Sequence, residues 1–125
     1  KVTNMTGMFI GAAKFNQPIS DWDVSSVTDM SWMFDHAGKF NQPIGEWNVS
    51  KVTDMSYMFY SAGKFNQPIG EWDVSNVVTM RGMSIMFSHA SAFNQNIGSW
   101  KIHRNIEMKG MFYKADSLNY SNLYR

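Results

Sequence analysis

The pentapeptide FNQPI begins at Phe15, Phe40 and Phe65 and returns as FNQNI at Phe93. Around it the whole chain repeats: Trp22, Trp47 and Trp72 are 25 residues apart, and Trp100 follows after 28. All nine phenylalanines fall in two columns, Phe9/Phe34/Phe59/Phe87/Phe112 and Phe15/Phe40/Phe65/Phe93, with Leu118 continuing the second. Ten of the eleven methionines do the same, as Met5/Met30/Met55/Met80/Met108 and Met8/Met33/Met58/Met86/Met111. Met83 is left over and marks three extra residues between Val77 and Phe87, relative to Val52 and Phe59. A unit this short has no interior of its own, so its apolar positions can be buried only by copies stacked in register. One array over residues 1–125 is expected, with units at about 2–26, 27–51, 52–76 and 77–104, and a partial or capping unit at 105–125.

Within one unit, VTDMSYMFYSAGKFNQPIGEWDVSN from Val52 to Asn76, two periodicities alternate. Met55, Met58, Phe59 and Ala62 have the i, i+3, i+4, i+7 spacing of a helix stripe. Asp54 or Thr53 is placed to cap its start, and Gly63 lies where a left-handed residue ends a helix. Trp72 and Val74 alternate with Glu71, Asp73 and Ser75, the period of a half-buried strand; Pro68 precedes it, where its missing N–H removes no ladder bond. The fold class this predicts is an α/β solenoid of about five 25-residue coils, each a short parallel strand plus a short helix. The Trp, Met and Phe columns then become core ladders, with methionine as an adaptable filler.

Composition removes several classes of function. A net charge of +1 gives no global electrostatic footprint for nucleic acid or an anionic membrane. The absence of cysteine removes disulfide scaffolds, thiol catalysis and thiolate metal sites. No apolar run approaches the roughly 20 residues of a membrane span, and no charged-then-apolar leader opens the chain. Lys1 in place of an initiating methionine reads as a processed or excised piece.

The segments FNQPIGEWDVSNV and VTDMSYMFYSAGKFNQPI resemble a bacterial surface-protein repeat of about 26 residues, grouped with BspA-like leucine-rich-repeat surface proteins. The likeness covers essentially the whole chain, and Ile69-x-x-Trp72-x-Val74 also matches the strand core of leucine-rich repeats. The resemblance implies a leucine-rich-repeat-like stack with a parallel sheet on one side and helices on the other. It also implies a cell-surface or lipid-anchored bacterial protein, with relatives in mycoplasmas, acting in adhesion or host interaction. No catalytic residue comes with it. The chain departs from the pattern at Asn96, Lys101, His103 and Asn105. The fifth unit therefore reads either as a degraded cap or as a diverged binding unit; the N-terminus shows no comparable cap, which leaves an open end or further repeats before Lys1.

Two sets of polar residues repeat with the unit. Asn16, Asn41, Asn66, Asn94 and Asn119 form an unbroken column beside Gln17, Gln42, Gln67 and Gln95, as an amide ladder holding turns would. Trp22, Trp47, Trp72 and Trp100 form the parallel structural ladder. On the exposed face of the expected sheet, Asp21, Glu46 and Glu71 precede tryptophan, and Asp23, Asn48 and Asp73 follow it. Stacked like charges favour a basic partner, a bound cation or raised pKa values, or they simply keep the face solvated; the D-x-[DN]-x-[DN]-G calcium loop is missing. Residues 1–100 carry six Lys/Arg against eight Asp/Glu. Residues 101–125 reverse that balance, with Lys101, Arg104, Lys109, Lys114 and Arg125 against Glu107 and Asp116. His36 and His89 share a unit position two copies apart, with Ser61 between them, too far to ligate one metal.

The functional expectation is a non-catalytic, extracellular or cell-surface repeat module that binds a protein, such as one of the host matrix or surface. The alternative is a passive spacer, or a segment that self-associates through an open end. No cofactor, metal, nucleic acid or enzymatic activity is expected, and any membrane contact would come through an anchor outside this chain. Partner contact is assigned to Asp21, Asp23, Glu46, Asn48, Glu71 and Asp73, with Tyr57, Tyr60 and Trp32 on neighbouring turns.

Overall fold

The computed structural model describes residues 1–78, 81–103 and 106–124. Met80, Arg104, Asn105 and Arg125, which the sequence reading placed in a methionine column, a terminal departure and a basic end, lie outside the described residues.

The repeat copies stack through their backbones, but the strand-plus-helix coil is overturned. Among the described residues there is no α-helix and no strand. Among those residues the regular pieces are the 3-10 helix Tyr120–Leu123 and the isolated parallel bridges Asn4 to Asp29 and Asp29 to Asp54. The α/β, leucine-rich-repeat-like solenoid is therefore not what this sequence forms.

The stretch expected to be helical is a run of tight turns. Every second N–H reaches the neighbouring copy: Met30 N donates to Asp54 O at 3.0 Å, Trp32 N to Ser56 O at 3.0 Å, Phe34 N to Met58 O at 2.9 Å and His36 N to Tyr60 O at 2.8 Å. The N–H groups between them close i+3 to i turns, Met33 to Met30, Asp35 to Trp32 and Ala37 to Phe34. A right-handed helix cannot survive here because two residues of each unit are left-handed. The first column is Gly7, Trp32, Tyr57, Ile85 and Gly110, and the second is Gly11, His36, Ser61, His89 and Lys114, with φ between 56° and 67° throughout. The left-handed residue expected at Gly63 therefore lies instead at Tyr57 and Ser61. Asp54, expected as a helix cap, accepts from the N–H and hydroxyl of Ser56, two residues on, and so holds a turn. The i, i+3, i+4, i+7 stripe is still buried, because successive three-residue turns also return Met55, Met58, Phe59 and Ala62 to one side.

The segment expected to be a strand keeps its alternation without a ladder. Trp72 and Val74 are buried, while Glu71, Asp73 and Ser75 are exposed. Their backbone bonds are local, Trp72 N to Ile69 O at 3.2 Å and Val77 N to Val74 O at 3.0 Å. What crosses between copies is the side chain: the indole N–H of Trp47, Trp72 and Trp100 donates to the carbonyls of Ile19, Ile44 and Ile69 at 3.0–3.1 Å.

Between these two sides lie the aromatic columns. Phe9, Phe34, Phe59, Phe87 and Phe112 stack at 5.5–5.8 Å between centroids. Phe15, Phe40, Phe65 and Phe93 stack at 5.9–6.1 Å. The columns touch at 4.1 Å through Phe34 and Phe40. The first methionine column needs a correction. Met55 N bonds Gly82 O as Met30 N bonds Asp54 O, and Met86 N bonds Met83 O as Met58 N bonds Met55 O. Met83 is fully buried and is thus the successor of Met55. The insertion therefore falls between Val77 and Gly82.

Candidate functional site

Asp21, Asp23, Glu46, Asn48, Glu71 and Asp73 are all exposed along one flank of three successive units, on turns and not on a sheet. Half of them are engaged locally. The Asp23 carboxylate accepts from the hydroxyl and the N–H of Ser25, Asp73 does the same with Ser75, and the Asn48 side-chain oxygen accepts from Ser50 N at 3.1 Å. Those bonds hold the Asp23 and Asp73 carboxyls below the ordinary carboxylate range, the serine hydroxyl acting most strongly and the serine N–H next. The shift is opposite to the raised values that like-charge repulsion alone suggests. Since a depressed native pKa stabilises the fold above the unfolded value, this small contribution is present at neutral pH and lost as pH falls below about 4. A carboxyl-resolved NMR titration is expected to place Asp73 below the ordinary aspartate range, and Ser75→Ala to bring it back.

Of the carboxylates left free, Asp21, Glu46 and Glu71, the last two border a shallow groove of about 440 Å³ with Pro43, Pro68, Gln95 and Asn96. Gly70 makes the groove floor possible, since a Cβ there would lie 2.5 Å from Asn96 O. Glu71 and Asp73 border a second groove toward Ser99 and Lys101. Among the described residues no three His, Asp or Glu side chains come close enough to hold a metal ion.

The amide column runs along the stack. Asn16, Asn41, Asn66 and Asn94 each use the side-chain oxygen to accept the N–H of the next copy's asparagine, Asn41, Asn66, Asn94 and Asn119, at 2.8–2.9 Å. Gln42, Gln67 and Gln95 add a bond from Nε2 to the preceding asparagine. Trp47, Trp72 and Trp100 are buried and Trp22 is half-buried, in the outermost unit.

A third surface lies on the turn side, over the left-handed residues. Trp32 and Tyr57 stack face to face, 3.9 Å between centroids and 6° from parallel. Tyr57 meets Tyr60 edge-on at 5.7 Å. Tyr60 stands between His36 and His89 at 5.2 and 5.9 Å, and His89 continues to Tyr113 at 5.6 Å. Tyr60, not Ser61, thus bridges the two histidines. Asp35, buried beneath them, contacts His36 Nδ1. From the sequence, Trp32, Tyr57 and Tyr60 are expected as neighbours of the acidic face and His89 as the counterpart of His36, while Tyr113 and Ile85 carry no expectation. The usable signal was glycine: Gly7 and Gly110 stand in the outer units where the inner ones carry Trp32, Tyr57 and Ile85.

Residues 1–84 and 80–123 match the model of a family described as Mycoplasma protein of unknown function, DUF285. The chain belongs to that family, which supports a repeat family without singling out BspA-like proteins. No curated protein and no solved structure matches the chain.

Proposed function

From membership of a family with no assigned activity, we propose that this chain is a non-catalytic surface module that binds another protein through its turn side. One observation carries the reading. Trp32, Tyr57 and Ile85 occupy left-handed backbone that glycine adopts freely at Gly7 and Gly110, a conformation costing roughly 1–2 kcal/mol for a residue with a Cβ. None of the three reaches full burial. Backbone strain kept for half-exposed aromatic side chains is characteristic of recognition surfaces, where tryptophan and tyrosine dominate binding energy. A host matrix or surface protein, an extracellular location and an anchor outside this chain all belong to the same proposal. The finer likeness to BspA-like surface proteins supports that location.

The test is binding to a panel of purified matrix proteins before and after Trp32→Asn with Tyr57→Asn. Asparagine tolerates left-handed backbone, so relief of strain offsets lost stacking and stability is expected to change by less than about 1.5 kcal/mol. Affinity for the bound partner is expected to fall more than about tenfold. Unchanged affinity moves the contact to the acidic flank, read by Glu46→Gln, Glu71→Gln and Asp73→Asn together. Asparagine keeps the turn there, as Asn48 does. No binding to any panel member favours the passive spacer.

A further inference from the structure

The fourth and fifth units differ from the second and third at three neighbouring places, and each difference removes bulk or a partner. In the second and third units the hydroxyls of Ser31 and Ser56 donate to Asp29 and Asp54 at 2.7 Å. The fourth unit has Gly82 at the aspartate's place, shown by its carbonyl accepting from Met55 N as that of Asp54 accepts from Met30 N. Ser84 thus loses its acceptor. Ser88 replaces the larger Asp35 and Tyr60, and Gly110 replaces Trp32 and Tyr57 in the stacked column.

A groove of about 340 Å³ opens where these side chains are missing. Ser84 and Ser88 line it at 7% and 3% exposure, and neither hydroxyl has a hydrogen-bond partner among the described residues. Neither oxygen is sealed from solvent, so both are available to a ligand. Arg81 and Lys109 bring two positive charges to the rim, and Glu107 one carboxylate. Tyr57 and Tyr113 supply ring surface.

Hydroxyls that hold no protein partner and open on a groove can each give a ligand a hydrogen bond. Their pairing with two cations selects an oxyanion. Glu107 narrows the choice further: it repels a bare anion but accepts hydrogen bonds from hydroxyl groups on a ligand. We infer that the groove between the fourth and fifth units binds an acidic sugar residue, a hydroxylated ring carrying a carboxylate. Arg81 and Lys109 hold the carboxylate, Ser84 and Ser88 bond the ring oxygens, and Glu107 accepts from ring hydroxyls. This inference shares Tyr57 and Ile85 with the protein-binding reading but uses neither Trp32 nor the acidic flank.

Amide-resolved NMR titration of the whole chain tests it, with methyl β-glucuronide as probe. Saturable shifts are expected at Ser84, Ser88 and Gly110, while the amides of the first two units stay fixed. Methyl β-glucoside, which lacks the carboxylate, and acetate, which lacks the ring hydroxyls, are each expected to bind at least about tenfold more weakly. Lys109→Met removes a cation at an exposed position and is expected to weaken the glucuronide about tenfold. Gly82→Asp restores the acceptor found at Asp29 and Asp54, occupies the Ser84 hydroxyl, and is expected to weaken the probe by at least as much with the fold kept. Absence of saturation overturns the inference. So does equal affinity for the glucoside, for acetate, or for a tripeptide with a free C-terminal carboxylate. Binding unaffected by both Lys109→Met and Gly82→Asp overturns it as well. Loss of matrix-protein binding in Trp32→Asn alone, a residue outside the groove, with glucuronide binding intact separates the two readings.

Discussion

Phe59→Ala is expected to lower the stability of the chain by about 3–5 kcal/mol, the range for a large aromatic removed from a packed core. The ring is fully buried at the middle of its column, with Phe34 and Phe87 at 5.6 and 5.5 Å on its two faces and Phe65 at 4.1 Å beside it. The cavity has little freedom to collapse. Phe34 N is bonded to Met58 O, and Phe59 N to Met86 O, so the copies above and below are held at fixed spacing by backbone. A domain of ordinary stability has about 5–15 kcal/mol in total, so the variant lies near the edge of folding at 37 °C. Urea unfolding followed by tryptophan fluorescence measures the loss. Phe112→Ala provides the contrast, because Phe112 is half-buried in the terminal unit with one ring neighbour in its column; its cost is expected to be less than half. Equal losses at the two positions would mean that the aromatic column is not the centre of the core.

Those columns were legible in the sequence because burial follows from repetition alone: a residue type that returns every 25 positions meets itself. The geometry between columns was not. Met55, Met58, Phe59 and Ala62 satisfy a helical stripe, and a run of three-residue turns satisfies the same spacing, so periodicity could not choose between them. The deciding residues are Trp32, Tyr57 and Ile85, whose left-handed backbone contradicts their propensities; for β-branched Ile85 such a φ is a genuine outlier. Tertiary bonding, with every second N–H committed to the next copy, overrides propensity there. Trp72 and Val74 misled in the opposite way: alternation reports which side is buried, and it holds in a bend as well as in a strand.

The register error at Met83 had a signal in the sequence. Met83-Ser84-Ile85-Met86-Phe87 repeats the pattern of Met55-Ser56-Tyr57-Met58-Phe59, and aligning on that motif puts the insertion before Gly82. The consequence reaches the surface. Only in that register does Gly82 fall in the column of Asp29 and Asp54, and the partnerless Ser84 hydroxyl is then visible as a departure from the unit. The acidic flank was legible as a row of exposed carboxylates, but their different tasks were not. Asp23 and Asp73 lie two residues before a serine and are drawn into turns, while Glu46 and Glu71, one residue before tryptophan, remain free.

Asn66→Ala is expected to cost about 2 kcal/mol, and Asn66→Asp very little at neutral pH. The two outcomes together identify what the amide column does. The side chain of Asn66 acts through its oxygen, which accepts from Asn94 N at 2.8 Å and from Gln95 Nε2 at 3.1 Å. Its own N–H donates to Asn41, a backbone bond that survives either substitution. Alanine therefore removes two bonds to that oxygen, from Asn94 N and from Gln95 Nε2, each worth about 0.5–1.5 kcal/mol at this partly exposed site, while Gln95 keeps the Asn66 carbonyl. Aspartate retains an acceptor at the same atom, and charge strengthens the bonds it makes. Protonation of that carboxyl in acid would weaken them, so the stability of Asn66→Asp relative to the parent is expected to fall as pH drops through the carboxylate range. Hydrogen exchange at Asn94 gives the local readout: protection lost in the alanine variant and kept in the aspartate variant at pH 7. If aspartate costs as much as alanine there, the column holds the turns by amide shape and not by its acceptor oxygens.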